Sequence, residues 1–216
     1  MDPCSEMMPR LMVDAYKSAG YDGIVITNHY FGMLYEWYPE LAGASKDVFL
    51  DKYLFGFREA REQGRKVGLE VLPGAEVRFD GHASDYLLYG IDESFFYNAP
   101  LLNTLSLEEL EKILPKGAII IQAHPFRDGM EVTPPQKLFG VEVYNGRTPQ
   151  DRNVMAEFWA KNENLKMTSG SDCHSRQDVG RGGLLFHTER KIDSAERLAE
   201  EICGGNYRLI VDGKLK

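Results

Sequence analysis

Three of the five histidines in this 216-residue chain follow short apolar runs. His29 ends Gly23-Ile24-Val25-Ile26-Thr27-Asn28-His29, and His124 ends Ile119-Ile120-Ile121-Gln122-Ala123-His124. His174 follows Leu165-Lys166-Met167-Thr168-Ser169-Gly170-Ser171-Asp172-Cys173. A fourth run, Val71-Leu72-Pro73-Gly74-Ala75-Glu76, ends in a carboxylate. Imidazole nitrogen and carboxylate oxygen are donors that Zn²⁺, Mn²⁺ and Fe²⁺ accept. His29, Glu76, His124, Asp172 and His174 are therefore the candidate metal ligands, with Glu76 and Asp172 also the catalytic candidates. A carboxylate can bridge two ions, which a monodentate histidine cannot. Two ions about 3.5–4 Å apart activate a water and neutralise a phosphate together. Arg127, Arg147 and Arg181 sit in loops after expected strands, where a guanidinium can fork onto phosphate oxygens; surface salt bridging is the plain alternative. His82, in the turn Phe79-Asp80-Gly81-His82, and Asp85 and Asp92, which flank a strand, are further ligand candidates. Surface placement is the plain alternative for His82.

The elements that must present these residues alternate. Helices are expected over 6–19 with Ser5 as N-cap, over 46–66, from a Ser106-Leu107-Glu108-Glu109 capping box to about 114, over 149–163 and over 194–203. Strands are expected over 23–27, 69–77, 85–91, 118–123, 140–144, 165–169, 183–187 and 207–211. Apolar strands separated by helices indicate a parallel sheet covered by helices. Polar groups at many separate strand ends favour a barrel, whose mouth gathers them, over an open sheet. The aromatic stretch 30–45 is placed to fold over that mouth.

Composition narrows the function. A net charge of −8 disfavours binding of long nucleic acid, which needs clustered cations. Three widely spaced cysteines without a CxxC pair fit a reducing, cytoplasmic setting rather than a disulfide framework. No apolar run approaches the ~18 residues of a membrane span, so no membrane partner is expected.

The segments Ile-Thr-Asn-His (26–29), Pro-Gly-Ala-Glu (73–76), Ala-His-Pro (123–125) and Ser-Asp-Cys-His (171–174), in this order, resemble the PHP (polymerase and histidinol phosphatase) domain family. The resemblance spans nearly the whole chain. It implies an α/β fold, a distorted (β/α)7 TIM-like barrel formed by residues 1–216 as a single domain. It implies two or three divalent ions (Zn, Mn or Fe) and a phosphatase-type phosphoesterase. That enzyme would act on a small phosphorylated metabolite or nucleotide by a metal-activated water. By motif, Glu76 resembles the bridging carboxylate, His124 a ligand of the second metal, Asp172 a ligand of the first, and His29 and His174 ligands of a third.

Two departures qualify the expectation. Asn28 stands where the family usually has aspartate, which keeps an acceptor but loses the charge. The family opens with a strand ending in His-x-His, whereas Met1-Asp2-Pro3-Cys4-Ser5 resembles the loop after it, with Asp2 a further ligand candidate. The expectation is a barrel lacking its first strand, with an exposed edge that promotes homo-oligomerisation. A catalytically impaired binding or regulatory module is the alternative function. A nuclease trimming short oligonucleotide ends and a hydrolase of non-phosphate bonds also remain open.

Overall fold

The computed structural model describes residues 4–216. Helix α1 (Pro9–Ser18) begins at a proline, whose missing N–H would have no partner in a first turn anyway. This corrects the expected start: Met8 occupies the N-cap position, and Ser5 instead donates its hydroxyl to the His174 carbonyl at 3.4 Å. Strand β1 (Gly23–Ile26) leads to the two-residue β2 (His29–Tyr30) and the short helix α2 (Leu34–Trp37). Helix α3 (Lys46–Val67) is capped by Ser45, which accepts from the Val48 amide, and ends at Gly68 in the left-handed region (φ 71°). It packs against α1.

The expected strand 69–77 is broken at Gly74 into β3 (Glu70–Pro73) and β4 (Ala75–Arg78). β1 pairs with β3, and β2 with β4, both in parallel. Gly74 N–H donates to Ile26 O at 3.0 Å and Glu76 N–H to Asn28 O at 3.1 Å, so the two pairs form one interrupted ladder. Its register sets His29 directly beside Glu76.

β5 (Asp85–Tyr89) runs antiparallel to both β4 and the later β6, so the sheet is mixed rather than parallel. The connection over 79–84 is a tight turn through Gly81 (φ 78°), and only antiparallel neighbours can be joined so briefly. After α4 (Glu93–Asn98) and α5 (Leu107–Ile113), the chain enters β6 (Ile119–Gln122) and β7 (Gly140–Asn145). Then come α6 (Gln150–Asn162) and β8 (Lys166–Gly170), with β6, β7 and β8 parallel. The chain closes with β9 (Gly182–Phe186), α7 (Ala195–Gly204), β10 (Tyr207–Val211) and β11 (Lys214–Leu215), an antiparallel set. Among the described residues no helix is long and apolar enough to cross a membrane.

β9 lies beside β8, with Gly183 N–H donating to Ser169 Oγ at 3.2 Å. The ring does not close. β1 has a strand partner only in β3, and a cavity of about 1000 Å³, lined by β1, β8, β9 and the inner faces of β3 and β5, separates β1 from β9.

β8 and β9 approach so closely that a methyl group on Gly182 would collide with the Gly170 carbonyl. Gly182→Ala should destabilise the fold by about 2 kcal/mol, since overpacking a rigid backbone contact cannot relax cheaply. Urea unfolding checks this, and a loss below about 0.5 kcal/mol would show that β9 does not pack as described.

Candidate functional site

The cavity collects polar side chains that apolar strands would ordinarily exclude. β4, β5 and the end of β6 bring Glu76, Asp85 and His124 together, all buried. One donor atom from each lies within 4.8 Å of the others. Glu76 spans two histidines: its Oε1 is 3.0 Å from His124 Nε2 and its Oε2 is 3.5 Å from His29 Nε2. Asp85 is held by a two-pronged Arg78 contact, Nε to Oδ1 at 2.6 Å and an NH2 nitrogen to Oδ2 at 2.7 Å. That fork follows from register, because Arg78 and Asp85 face each other across the β4–β5 pair.

Asp172 and His174 follow β8. Arg127 donates to Asp172 at 2.6 Å and to Asn145 at 2.9 Å, and Asp172 lies 3.2 Å from His174 Nδ1. His174 in turn neighbours His29, ring centroids 5.8 Å apart. Two ligand candidates, His124 (φ 27°) and Asp172 (φ 51°), have positive φ, which non-glycine residues rarely adopt. Such backbone persists where the surroundings impose it, commonly at functional sites. At His124 the imposing group is Glu142, whose Oε2 accepts from the His124 amide at 3.2 Å.

Electrostatics match this crowding. Burial raises the Asp85 carboxyl, against the pull of Arg78 and with the help of Glu76. Burial pushes Glu142 up to about 7. Burial alone would lower His124, but the contact with Glu76 outweighs it and raises it. Burial opposes ionisation of Asp172, yet His174 and Arg127 hold it well below the usual carboxylate range. His174 is raised to about 10, chiefly by Asp172 and then by Cys4.

A cation fits here on two grounds. Buried carboxylates that raise one another's pKa lack compensating positive charge. His124 Nδ1 is a buried ring nitrogen with no hydrogen-bond partner among the described residues, and such orphans call for an explanation. Glu76, Asp85 and His124 are thus the residues that would hold an ion most directly, with His29 adjoining through Glu76.

Other candidates lie elsewhere. His82 is exposed on its turn, edge-on to Phe79. Asp92 caps α4, accepting from the Phe95 amide at 3.0 Å. Arg147 reaches Asp178 at 3.3 Å, and Arg181 reaches Asp212 and the Gly146 carbonyl. Asn28 turns its side chain toward the Tyr53 carbonyl at 3.4 Å. Asp2 lies outside the described residues. The aromatic stretch does border the site: Phe31 stacks on His29 at 4.6 Å, and Trp37 lies 6.1 Å from it. Sequence reasoning missed Glu142, whose signal was an acid inside the apolar strand Gly140–Asn145. It also missed Cys4, whose sulfur lies 3.5 Å from His29 Nδ1; nothing in the local sequence marks that contact.

Known proteins agree with this architecture. Residues 150–207 match the sequence profile of the PHP-associated family. A solved two-domain protein from Bacteroides vulgatus, described as containing a predicted PHP-like metal-dependent phosphoesterase, superposes with a TM-score of 0.67 at 19% identity. The chain has a PHP-like fold. The superposition covers 98% of this chain and 62% of the Bacteroides protein, so this PHP-like chain spans less than two thirds of that relative. PsfC from Pseudomonas syringae matches over 93% of this chain and 81% of its own, with a TM-score of 0.66 and 18% identity. An amidohydrolase from Chromobacterium violaceum matches over 92% of each chain, with a TM-score of 0.56 and 15% identity. No curated protein sequence matches the chain.

Binding of an ion to this cluster should stabilise the folded state by mass action. At 100 times its Kd, Mn²⁺ or Zn²⁺ should add about 2.7 kcal/mol, or about 5–10 °C in Tm for a domain this size. Glu76→Gln and His124→Ala should each remove most of that gain in calorimetry. An equal gain in both variants would place the ion elsewhere.

Proposed function

We propose that the protein is a metal-dependent phosphoesterase acting on a small phosphorylated metabolite or nucleotide. The observation that carries the reading is the convergence of Glu76, Asp85 and His124 with the Arg127–Asp172 pair on one cavity. Divalent ions held there, two or three of Zn, Mn or Fe, supply Lewis acidity and lower the pKa of a water. The chain's own residues do the rest. Glu76 keeps His29 and His124 on opposite sides of one carboxylate and is suited to bridging. Arg127 is fixed by Asn145, Thr148 and Asp172, so its guanidinium is already oriented for phosphate oxygens. Arg147 and Arg181, tied to Asp178 and Asp212, flank the same side with less rigid partners. Phe31 and Trp37 wall the site on the His29 side and limit the access of bulk water.

The finer architecture that suits this reading is a distorted (β/α)7 barrel forming one domain, with the position of its first strand open between β9 and β1. That opening also favours a second reading, a binding or regulatory module of the same fold with impaired catalysis. One wall that would complete the site is absent from the described residues. The open β1 edge suits pairing with a second copy of the chain, and the soluble, intracellular placement expected from the cysteines suits a metabolite substrate.

The protein loaded with Mn²⁺ or Zn²⁺ should hydrolyse at least one member of a panel of phosphomonoesters, nucleotides and short oligonucleotides. Arg127→Ala should lower kcat/KM by at least about tenfold, roughly 1.4 kcal/mol of transition-state stabilisation, with metal content unchanged. Turnover of an amide panel instead would move the substrate class to that of the Chromobacterium relative. A metal-loaded protein inert on both panels would leave the binding module as the function.

A further inference from the structure

We propose that Cys4, His29 and His174 form a second, unlike metal site, a thiolate and two imidazoles, that selects zinc over the harder ions. The inference rests on the metal-dependent reading above but does not require phosphoester chemistry. One donor atom from each of the three residues lies within 4.8 Å of the others. Cys4 Sγ and His29 Nδ1 are 3.5 Å apart. Two tetrahedral ligands at the usual zinc–sulfur and zinc–nitrogen lengths, about 2.3 and 2.0–2.1 Å, stand about 3.6 Å apart, so the pair already has the spacing of two zinc ligands. His174 turns Nδ1 to Asp172, both its carboxylate and its backbone carbonyl at 2.9 Å, which leaves Nε2 as the ligating nitrogen and fixes the ring.

The sulfur is placed by backbone as well as by its own contact. The His174 carbonyl accepts from the Glu6 amide at 2.8 Å and from the Ser5 hydroxyl at 3.4 Å. The segment carrying Cys4 is thereby tied to the loop that carries His174. The other two cysteines have no such setting. Cys173 bonds the Ser175 carbonyl and packs in the core, and Cys203 is exposed on α7.

Donor chemistry separates the two sites. Glu76, Asp85 and His124 offer two oxygens and one nitrogen, a set open to Mn²⁺, Fe²⁺ and Zn²⁺. A thiolate with two imidazoles favours Zn²⁺ and Co²⁺ and discriminates against Mn²⁺ and Mg²⁺. Three protein ligands leave a fourth tetrahedral position for water or a substrate atom, the arrangement of catalytic rather than structural zinc.

Cobalt titration of the metal-free protein tests this directly. The wild type should develop a near-ultraviolet thiolate-to-cobalt charge-transfer band. Cys203→Ser and Cys173→Ser should keep that band, and Cys4→Ser should lose it. Cys4→Ser should also weaken Zn²⁺ binding by at least about tenfold while leaving Mn²⁺ binding unchanged, with the same far-ultraviolet circular dichroism as wild type. Cobalt bound in stoichiometric amount without the band, or a band that survives Cys4→Ser, overturns the assignment of Cys4 and leaves the Glu76 cluster standing. A protein that binds no cobalt, zinc or manganese at all overturns both readings.

Discussion

Like charge buried at close range organises this molecule. Glu76, Asp85, Glu142 and Asp172 all reach the wall of one cavity, where carboxylates that in water would repel weakly interact through protein. The fold answers each one separately. Arg78 forks onto Asp85, Arg127 and His174 flank Asp172, the His124 amide and Asn145 bond Glu142, and two histidines stand on either side of Glu76. Strand register, the break at Gly74 and two unusual backbone conformations all serve these pairings. Hydrophobic packing alone would choose none of them, since a ladder shifted by one residue would turn Glu76 and Asp85 outward.

What the sequence disclosed and what it hid divide along physical lines. Features set by neighbours in the chain were legible. Ser45 and Gly68 bound α3, and Ser106 with Glu109 opens α5 through a capping box, with the short range of such signals. The ends of the apolar runs placed Glu76 and His124 on one cavity because strands in one sheet deliver their ends to one region. Features set across the chain were hidden. An apolar run carries no sign of direction, so the antiparallel β5 looked like its parallel neighbours. Asp92 reads equally as a ligand or a helix cap until the Phe95 amide is seen beside it. Ser5 resembles a cap, yet the proline at residue 9 sets the helix start. Cys4 meets His29 only after α1 has turned the chain back upon itself.

Comparison with solved structures adds fold and leaves chemistry to the residues. At 15–19% identity, relatives described as a phosphoesterase-containing protein and an amidohydrolase share this scaffold. One arrangement of strands can evidently carry different hydrolytic labels. What distinguishes members must then lie in donor identity, in the cations that flank the donors, and in the loops above them. In this chain those are the sulfur of Cys4, the fixed Arg127 and the stretch from Phe31 to Trp37.

Arg78 belongs to two structures at once. Its guanidinium grips Asp85 and also lies over the Phe31 ring, 4.5 Å from the centroid, while Phe31 stacks on His29. Anything that draws charge from Asp85 loosens the grip of the arginine on that side and alters the cation that the Phe31 ring feels. By thermodynamic reciprocity, a molecule that presses the aromatic stretch down must also change the affinity of the buried carboxylate for its ion. Arrival of a guest at the rim and strength of binding at the floor are therefore one coupled equilibrium, carried by a single side chain.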